Sequence, residues 1–157
     1  MNTTATDEVP YEEASIWIRV PISVAWDAVA DIDRMGRYSP ETTGAEWLPP
    51  SDGHAVGSRF RGHNDNGTHT WHTDCEITDY DPHVVFGFAV GLDGNHRTIW
   101  RYRFAAERGG TRVTQSFASP ILADPPPGMN PDRRQIMAAM LTETLTRIRT
   151  DLEDPSH

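Results

Sequence analysis

The residues best equipped for chemistry lie between Arg59 and Cys75: His63, Asp65, His69, His72 and the single cysteine, Cys75. Histidines close to a carboxylate are the raw material of a transition-metal site, and histidine is also the commonest general base. Two more polar residues, Tyr102 and Gln115, stand in apolar-rich stretches. There a hydroxyl and an amide can either satisfy one another or hold a ligand carbonyl or hydroxyl. Which of these groups can meet depends on the strands that carry them.

Asn66-Gly67 is a strong short hairpin signal and predicts a two-residue type I′ turn. That turn sets Asn64 opposite His69, Gly62 opposite Trp71, Phe60 opposite Thr73 and Ser58 opposite Cys75 on one face. The other face carries His63 with Thr70, Arg61 with His72 and Arg59 with Asp74. A slip of one residue would bury the charged set, so the face with Phe60 and Trp71 is expected to point inward. His69 then turns inward near the hairpin tip while His63 and His72 face solvent. The three imidazoles cannot converge, so no metal site is expected. His69 remains as a candidate general base, and Cys75 reads as a buried, inert thiol.

The following strands obey the same logic. A three-residue loop, Asp93-Gly94-Asn95 with Asn95 left-handed, pairs Val90 with Thr98, Phe88 with Trp100 and Phe86 with Tyr102. A turn near Arg108-Gly109 pairs Trp100 with Phe117, Tyr102 with Gln115 and Phe104 with Val113. The inward face is therefore rich in aromatic residues. Asn130-Pro131 is an N-cap signal for a last helix running to Leu152, roughly 33 Å long. Met137, Met140, Leu141, Leu145, Ile148 and Leu152 form its apolar stripe, bordered by Ala138 and Thr144, and Glu143 and Arg147 can pair across one turn. Arg134, in the first turn at the azimuth of that stripe, either guards a cavity mouth or snorkels to the surface.

Upstream, Ala14 to Val20 alternate as a half-buried strand, with Ile16, Ile18 and Val20 on one face. Ser23 can cap a short helix carrying Val24, Trp26 and Val29, and Asp33 can cap a second that ends near Tyr38 before Pro40. A strand follows over 45–48. Residues 1–12 read as a disordered acidic tail and 13–157 as one domain. The formal net charge is −9 and every basic residue is arginine, with no basic stripe to neutralise phosphates, which disfavours nucleic acid. No run is long and apolar enough to span a membrane, and no signal peptide is recognisable, so a cytoplasmic location is expected.

The order of strand, two short helices, six strands and a long helix resembles the START/Bet v 1-like (SRPBCC) superfamily, in its polyketide cyclase/dehydrase or lipid-transport branch. The residues that carry the likeness are Val20-Pro21 with Val24-Ala25-Trp26, Asp31, Tyr38-Ser39-Pro40-Glu41, Gly57 with Phe60, Trp100 to Phe104 and Gly109 to Thr114. The resemblance implies an α+β helix-grip fold: a curved seven-stranded antiparallel sheet around the C-terminal helix, with two short helices after the first strand. It also implies a largely apolar cavity between sheet and helix. The residues expected to line it are Phe60, Trp71, Thr73, Phe86, Phe88, Trp100, Tyr102, Gln115, Met137, Met140 and Leu141, with His69, Tyr102 and Gln115 as the candidate catalytic groups. Read from the residues alone, a solid core is the favoured reading of the same set, and it is the resemblance that turns the preference to a cavity. Two functions follow. One is binding of a small apolar, polycyclic, polyketide-like or lipid-like molecule. The other is cyclisation or dehydration of a reactive chain in the same cavity, with proximity doing most of the work. No cofactor is expected, and the protein is expected to act as a monomer or homodimer.

Overall fold

The structure, a computed structural model, describes residues 9–92 and 97–155. Seven antiparallel strands form one sheet: β1 (Tyr11–Ile18), β2 (Thr42–Trp47), β3 (Arg59–Asp65), β4 (Thr70–Asp81), β5 (Val85–Val90), β6 (Thr98–Glu107) and β7 (Gly110–Ala118). Their order across the sheet is β1-β7-β6-β5-β4-β3-β2. Between β1 and β2 lie α1 (Ile22–Val29), a 3₁₀ turn (Ile32–Arg34) and α2 (Met35–Tyr38); after β7 comes a 3₁₀ turn (Pro120–Leu122) and then α3 (Arg133–Leu152). This is the helix-grip architecture the sequence predicts. Register shifts between Thr42 and Gly44 and between Ile77 and Asp79 are bulges, the usual means of bending a sheet.

The expected pairings of β5, β6 and β7 are present: Phe88 with Trp100, Phe86 with Tyr102, Tyr102 with Gln115 and Trp100 with Phe117. The loop proposed at Asp93-Gly94-Asn95 lies outside the described residues. The β3–β4 register differs from expectation by two residues. Arg61, not Arg59, faces Asp74; Phe60 faces Cys75, Gly62 faces Thr73 and Asn64 faces Trp71. The cause is turn chemistry. The Asn66 side chain accepts hydrogen bonds from the amides of Thr68 (2.9 Å) and His69 (2.8 Å), and Asp65 accepts one from Gly67 (2.7 Å). These side-chain bonds build a four-residue loop, Asn66 to His69, in place of a two-residue turn. A shift of two preserves the faces, because side chains alternate with period two. Phe60 and Asn64 stay inside and His72 stays exposed, but His69 moves into the loop and is exposed.

Four termini also differ. β1 starts at Tyr11, so Tyr11 and Glu12 pair with Ala118 and Phe117 rather than belonging to a tail. Helix α1 begins at Ile22 behind Pro21, one residue before Ser23. The following turn is capped by Asp31, whose carboxylate accepts the Asp33 amide at 2.9 Å, and not by Asp33. Helix α3 starts at Arg133, because Asn130 spends its side chain and carbonyl on a turn, binding the amides of Asp132 (2.9 Å) and Arg133 (3.0 Å). The helix is 20 residues, about 30 Å, and buries Met137, Leu141, Thr144, Leu145, Ile148 and Leu152 against the sheet. None of the described helices is long and apolar enough to cross a membrane.

The buried side chains form two clusters. In the larger, Trp26 of α1 packs against Phe104 (5.2 Å between ring centroids), Tyr80 (5.5 Å) and Phe86 (6.4 Å), with Ile18, Leu145 and Ile148 nearby. The smaller comprises Phe117, Met137 and Leu141, with Trp100, Met140 and Leu122 against it. Between the clusters the sheet and α3 do not close completely.

Candidate functional site

That gap is a cavity of about 150 Å³. Phe60, Trp71, Thr73, Phe88, Trp100, Tyr102, Gln115 and Met140 line it, as the sequence predicts. Phe86, Met137 and Leu141 do not. Phe86 is fully buried under Trp26, and Met137 and Leu141 pack on Phe117. These corrections come from packing distant in sequence: Trp26 of α1 sits on Phe86, and Phe117 with Leu122 takes up Met137 and Leu141, and neither contact is visible in local periodicity. The cavity is correspondingly smaller than the few hundred Å³ typical of small-molecule sites.

The aromatic wall spans several strands. Phe60 of β3 meets Phe88 of β5 at 5.4 Å over the intervening β4, and Phe86 stacks on its cross-strand partner Tyr102 at 6.5 Å from behind. The α3 side is a line of side chains at i, i+7, i+11 and i+15: Arg133, Met140, Thr144 and Ile148. The rim runs from the last residue of α2 to the first of β2, through Tyr38, Ser39, Pro40, Glu41 and Thr42. Gly36 fixes that segment. A Cβ there would lie 2.2 Å from the Thr43 carbonyl oxygen, so only glycine allows α2 to approach β2 this closely.

The interior polar groups are few. Gln115, only 4% exposed, donates from Nε2 to the Tyr102 hydroxyl at 2.9 Å. Its Oε1 is buried with no partner. Burial pushes the Tyr102 hydroxyl well above the ordinary phenol range, against a smaller opposing effect of the Gln115 hydrogen bond. It therefore stays protonated and can donate. At the other end, Asn64 accepts from Thr42 Oγ1 at 2.9 Å and donates to Thr73 Oγ1 at 3.4 Å. The Cys75 thiol lines the cavity, and burial pushes it up to about 12, so it is an inert wall residue at neutral pH.

His69 is exposed in the β3–β4 loop and is not among the residues that line the cavity, which removes the geometric basis for a general base there. His63 is exposed and pairs with Glu46 at 2.6 Å. Of the two readings of Arg134 the structure shows the surface one: it pairs with Glu12 at 2.8 Å. Its neighbour Arg133 occupies the mouth. The Arg133 guanidinium binds the Glu41 carboxylate with two parallel hydrogen bonds, 2.7 and 3.1 Å. Arg133 was legible as i−4 to Met137 and i−7 to Met140, but the same stripe admits Arg134 at i−3. Asn64 and Glu41 carry a weaker signal: sequence puts Asn64 on the inward face near a hairpin tip and Glu41 in a turn near the rim, where solvent and turn chemistry already account for polar groups.

Curved sheet, two short helices and a long helix over a partly apolar cavity define a Bet v 1-like helix-grip protein. The chain belongs to the family described as polyketide cyclase / dehydrase and lipid transport, which matches residues 13–153. Among curated proteins no sequence match is found. Among solved structures, the chain is similar to the Polyketide_cyc-like protein Cgl2372 from Corynebacterium glutamicum, with 28% identity, a TM-score of 0.63, and 96% of this chain and 98% of that one covered. It is similar in fold to Ara h 8.0201, with 15% identity, a TM-score of 0.69, and 92% and 97% covered. It is also similar in fold to the di-domain ARO/CYC StfQ from the steffimycin biosynthetic pathway, with 12% identity and a TM-score of 0.71. That match covers 96% of this chain and 53% of StfQ.

Proposed function

We propose that the protein binds a small, mostly apolar molecule of polyketide-like or lipid-like character in the cavity between sheet and α3. The observation that carries this reading is the unpartnered Gln115 Oε1 beside the Tyr102 hydroxyl. A buried amide oxygen without a partner costs free energy unless something binds it. A ligand hydroxyl or amide supplies the missing donor, and the Tyr102 hydroxyl is free to donate to a ligand carbonyl. Phe60, Phe88, Trp71 and Met140 take the apolar body.

Cyclisation or dehydration is the weaker reading. The described residues that line the cavity offer two protonated phenols, Tyr102 and a Tyr38 already donating to Asp151, and one carboxylate, Glu41, already held by Arg133. Native mass spectrometry of the protein as purified, and again after incubation with N-phenyl-1-naphthylamine, tests the binding reading. The expected result is a stoichiometric adduct that is lost on acid denaturation. Bare chain mass in both samples would contradict it.

A further inference from the structure

Arg133 lines two spaces. One is the inner cavity; the other is a surface hollow of about 260 Å³ under the proline-rich loop, lined by Leu122, Pro125, Pro126 and Met129. The side chain is thus a partition between them, held across the mouth by Glu41. Arg133 and Glu41 are the charged side chains among the described residues lining the inner cavity. Both are partly screened from water, at 28% and 17% side-chain exposure. The Glu41 backbone is tied down separately: its amide binds Ser39 Oγ at 3.3 Å and its carbonyl accepts from Asp65 at 2.9 Å. Its carboxylate can therefore leave Arg133 while the rim stays in place.

Resting on the binding reading above, we infer that the Arg133–Glu41 pair is an exchangeable latch, and that the ligand carries an anionic group which replaces Glu41 on Arg133. Two observations point the same way. The inner cavity alone is too small for a polycyclic molecule, whereas cavity and hollow joined reach the usual size of a ligand site. The fork of Arg133 already grips a carboxylate bidentately, so a ligand carboxylate, sulfonate or phosphate replaces it like for like. Glu41 then turns to solvent, where an unpaired carboxylate costs little. The ligand so defined is an amphipathic acid, with its apolar body on Phe60 and Phe88 and its anionic end at the mouth. A neutral ligand must open the latch with nothing to offer Arg133 in return.

Two fluorescent probes that differ by one sulfonate test this: 1-anilinonaphthalene-8-sulfonate and the neutral N-phenyl-1-naphthylamine. Each is titrated into wild type, Arg133→Gln and Glu41→Gln, with circular dichroism confirming that the variants are folded. Anionic-probe binding is scored only where the neutral probe displaces it. The expected pattern is opposite signs. Arg133→Gln weakens the sulfonate probe by about tenfold or more, the scale of one charge-assisted hydrogen bond, and leaves the neutral probe unchanged or tighter. Glu41→Gln tightens the sulfonate probe. A merely structural ion pair would shift both probes the same way in both variants, and that result would overturn the latch while leaving the binding reading intact. If neither probe binds any of the three proteins, both fall together.

Discussion

Gln115 donates to the Tyr102 hydroxyl at 2.9 Å across β6 and β7, while the other end of the same amide is buried without a partner. The two residues face each other in register, so backbone pairing, not chance packing, brings them together. One half of the amide is satisfied by the fold and the other half is open to the cavity.

The energetic consequence is a double-mutant cycle. Tyr102→Phe strips the amide of its remaining partner and should lower stability by about 1–3 kcal/mol, measured by urea unfolding. Gln115→Leu leaves the Tyr102 hydroxyl alone and should cost a similar amount or less. The double variant should lie within about 1 kcal/mol of wild type, because removing both partners leaves nothing unsatisfied. Simple additivity of the two losses would contradict the pairing.

His69→Ala separates this site from the one the sequence suggests. Because His69 is exposed in the loop, the substitution should leave N-phenyl-1-naphthylamine affinity within about twofold and stability within about 0.5 kcal/mol. A large loss of either would restore the histidine to the site.

Gly36→Ala probes the rim. The added methyl meets the Thr43 carbonyl, which belongs to a strand backbone and cannot swing aside. The expected cost is roughly 1–3 kcal/mol, with probe affinity reduced because Tyr38 to Thr42 shift. Unchanged stability would mean the segment yields more easily than its backbone contacts imply.

Alkaline pH should weaken the fold through buried acids. Cys75 titrates near 9.0 when unfolded and at about 12 when folded, so the folded state holds its proton longer. Stability is then fully present below pH 9 and declines as pH rises toward 12. Tyr102 and Tyr38 are shifted in the same direction by burial, Tyr38 also by its hydrogen bond to Asp151, and add to the decline on the alkaline side. Cys75→Ala should flatten the stability profile above pH 9. Folded wild type should also resist thiol alkylation at pH 8, and rapid alkylation without unfolding would refute the burial argument.

Much of the fold is legible in the sequence because the inward face repeats every second residue. Phe86, Phe88, Trp100, Tyr102 and Phe117 specify the β5–β6–β7 registers by burial alone. The β3–β4 hairpin tests that rule from the other side. Its faces were legible because Arg59, Arg61 and Asp74 cannot be buried, but its register was not, because the Asp65 and Asn66 side chains reshape the loop. Site residues followed the same division. Those fixed by strand alternation fall in the cavity, whereas Phe86, Met137 and Leu141 are closed off by Trp26, Phe117 and Leu122, which are distant in sequence. The mouth was least legible, since Arg133 and Glu41 meet only after α3 docks on the rim.

Gly62 offers the most direct test of the cavity as a binding site. It lines the cavity, its backbone suits any residue, and the nearest atom to an added Cβ is Thr73 Oγ1 at an ordinary 3.5 Å. Gly62→Leu therefore puts a side chain into the empty space without straining the strand. The expected result is a thermal midpoint equal to or above that of wild type, together with loss of N-phenyl-1-naphthylamine binding by about tenfold or more, measured by fluorescence titration. A folded Gly62→Leu protein that binds the probe as tightly as wild type would contradict the claim that the ligand occupies this cavity.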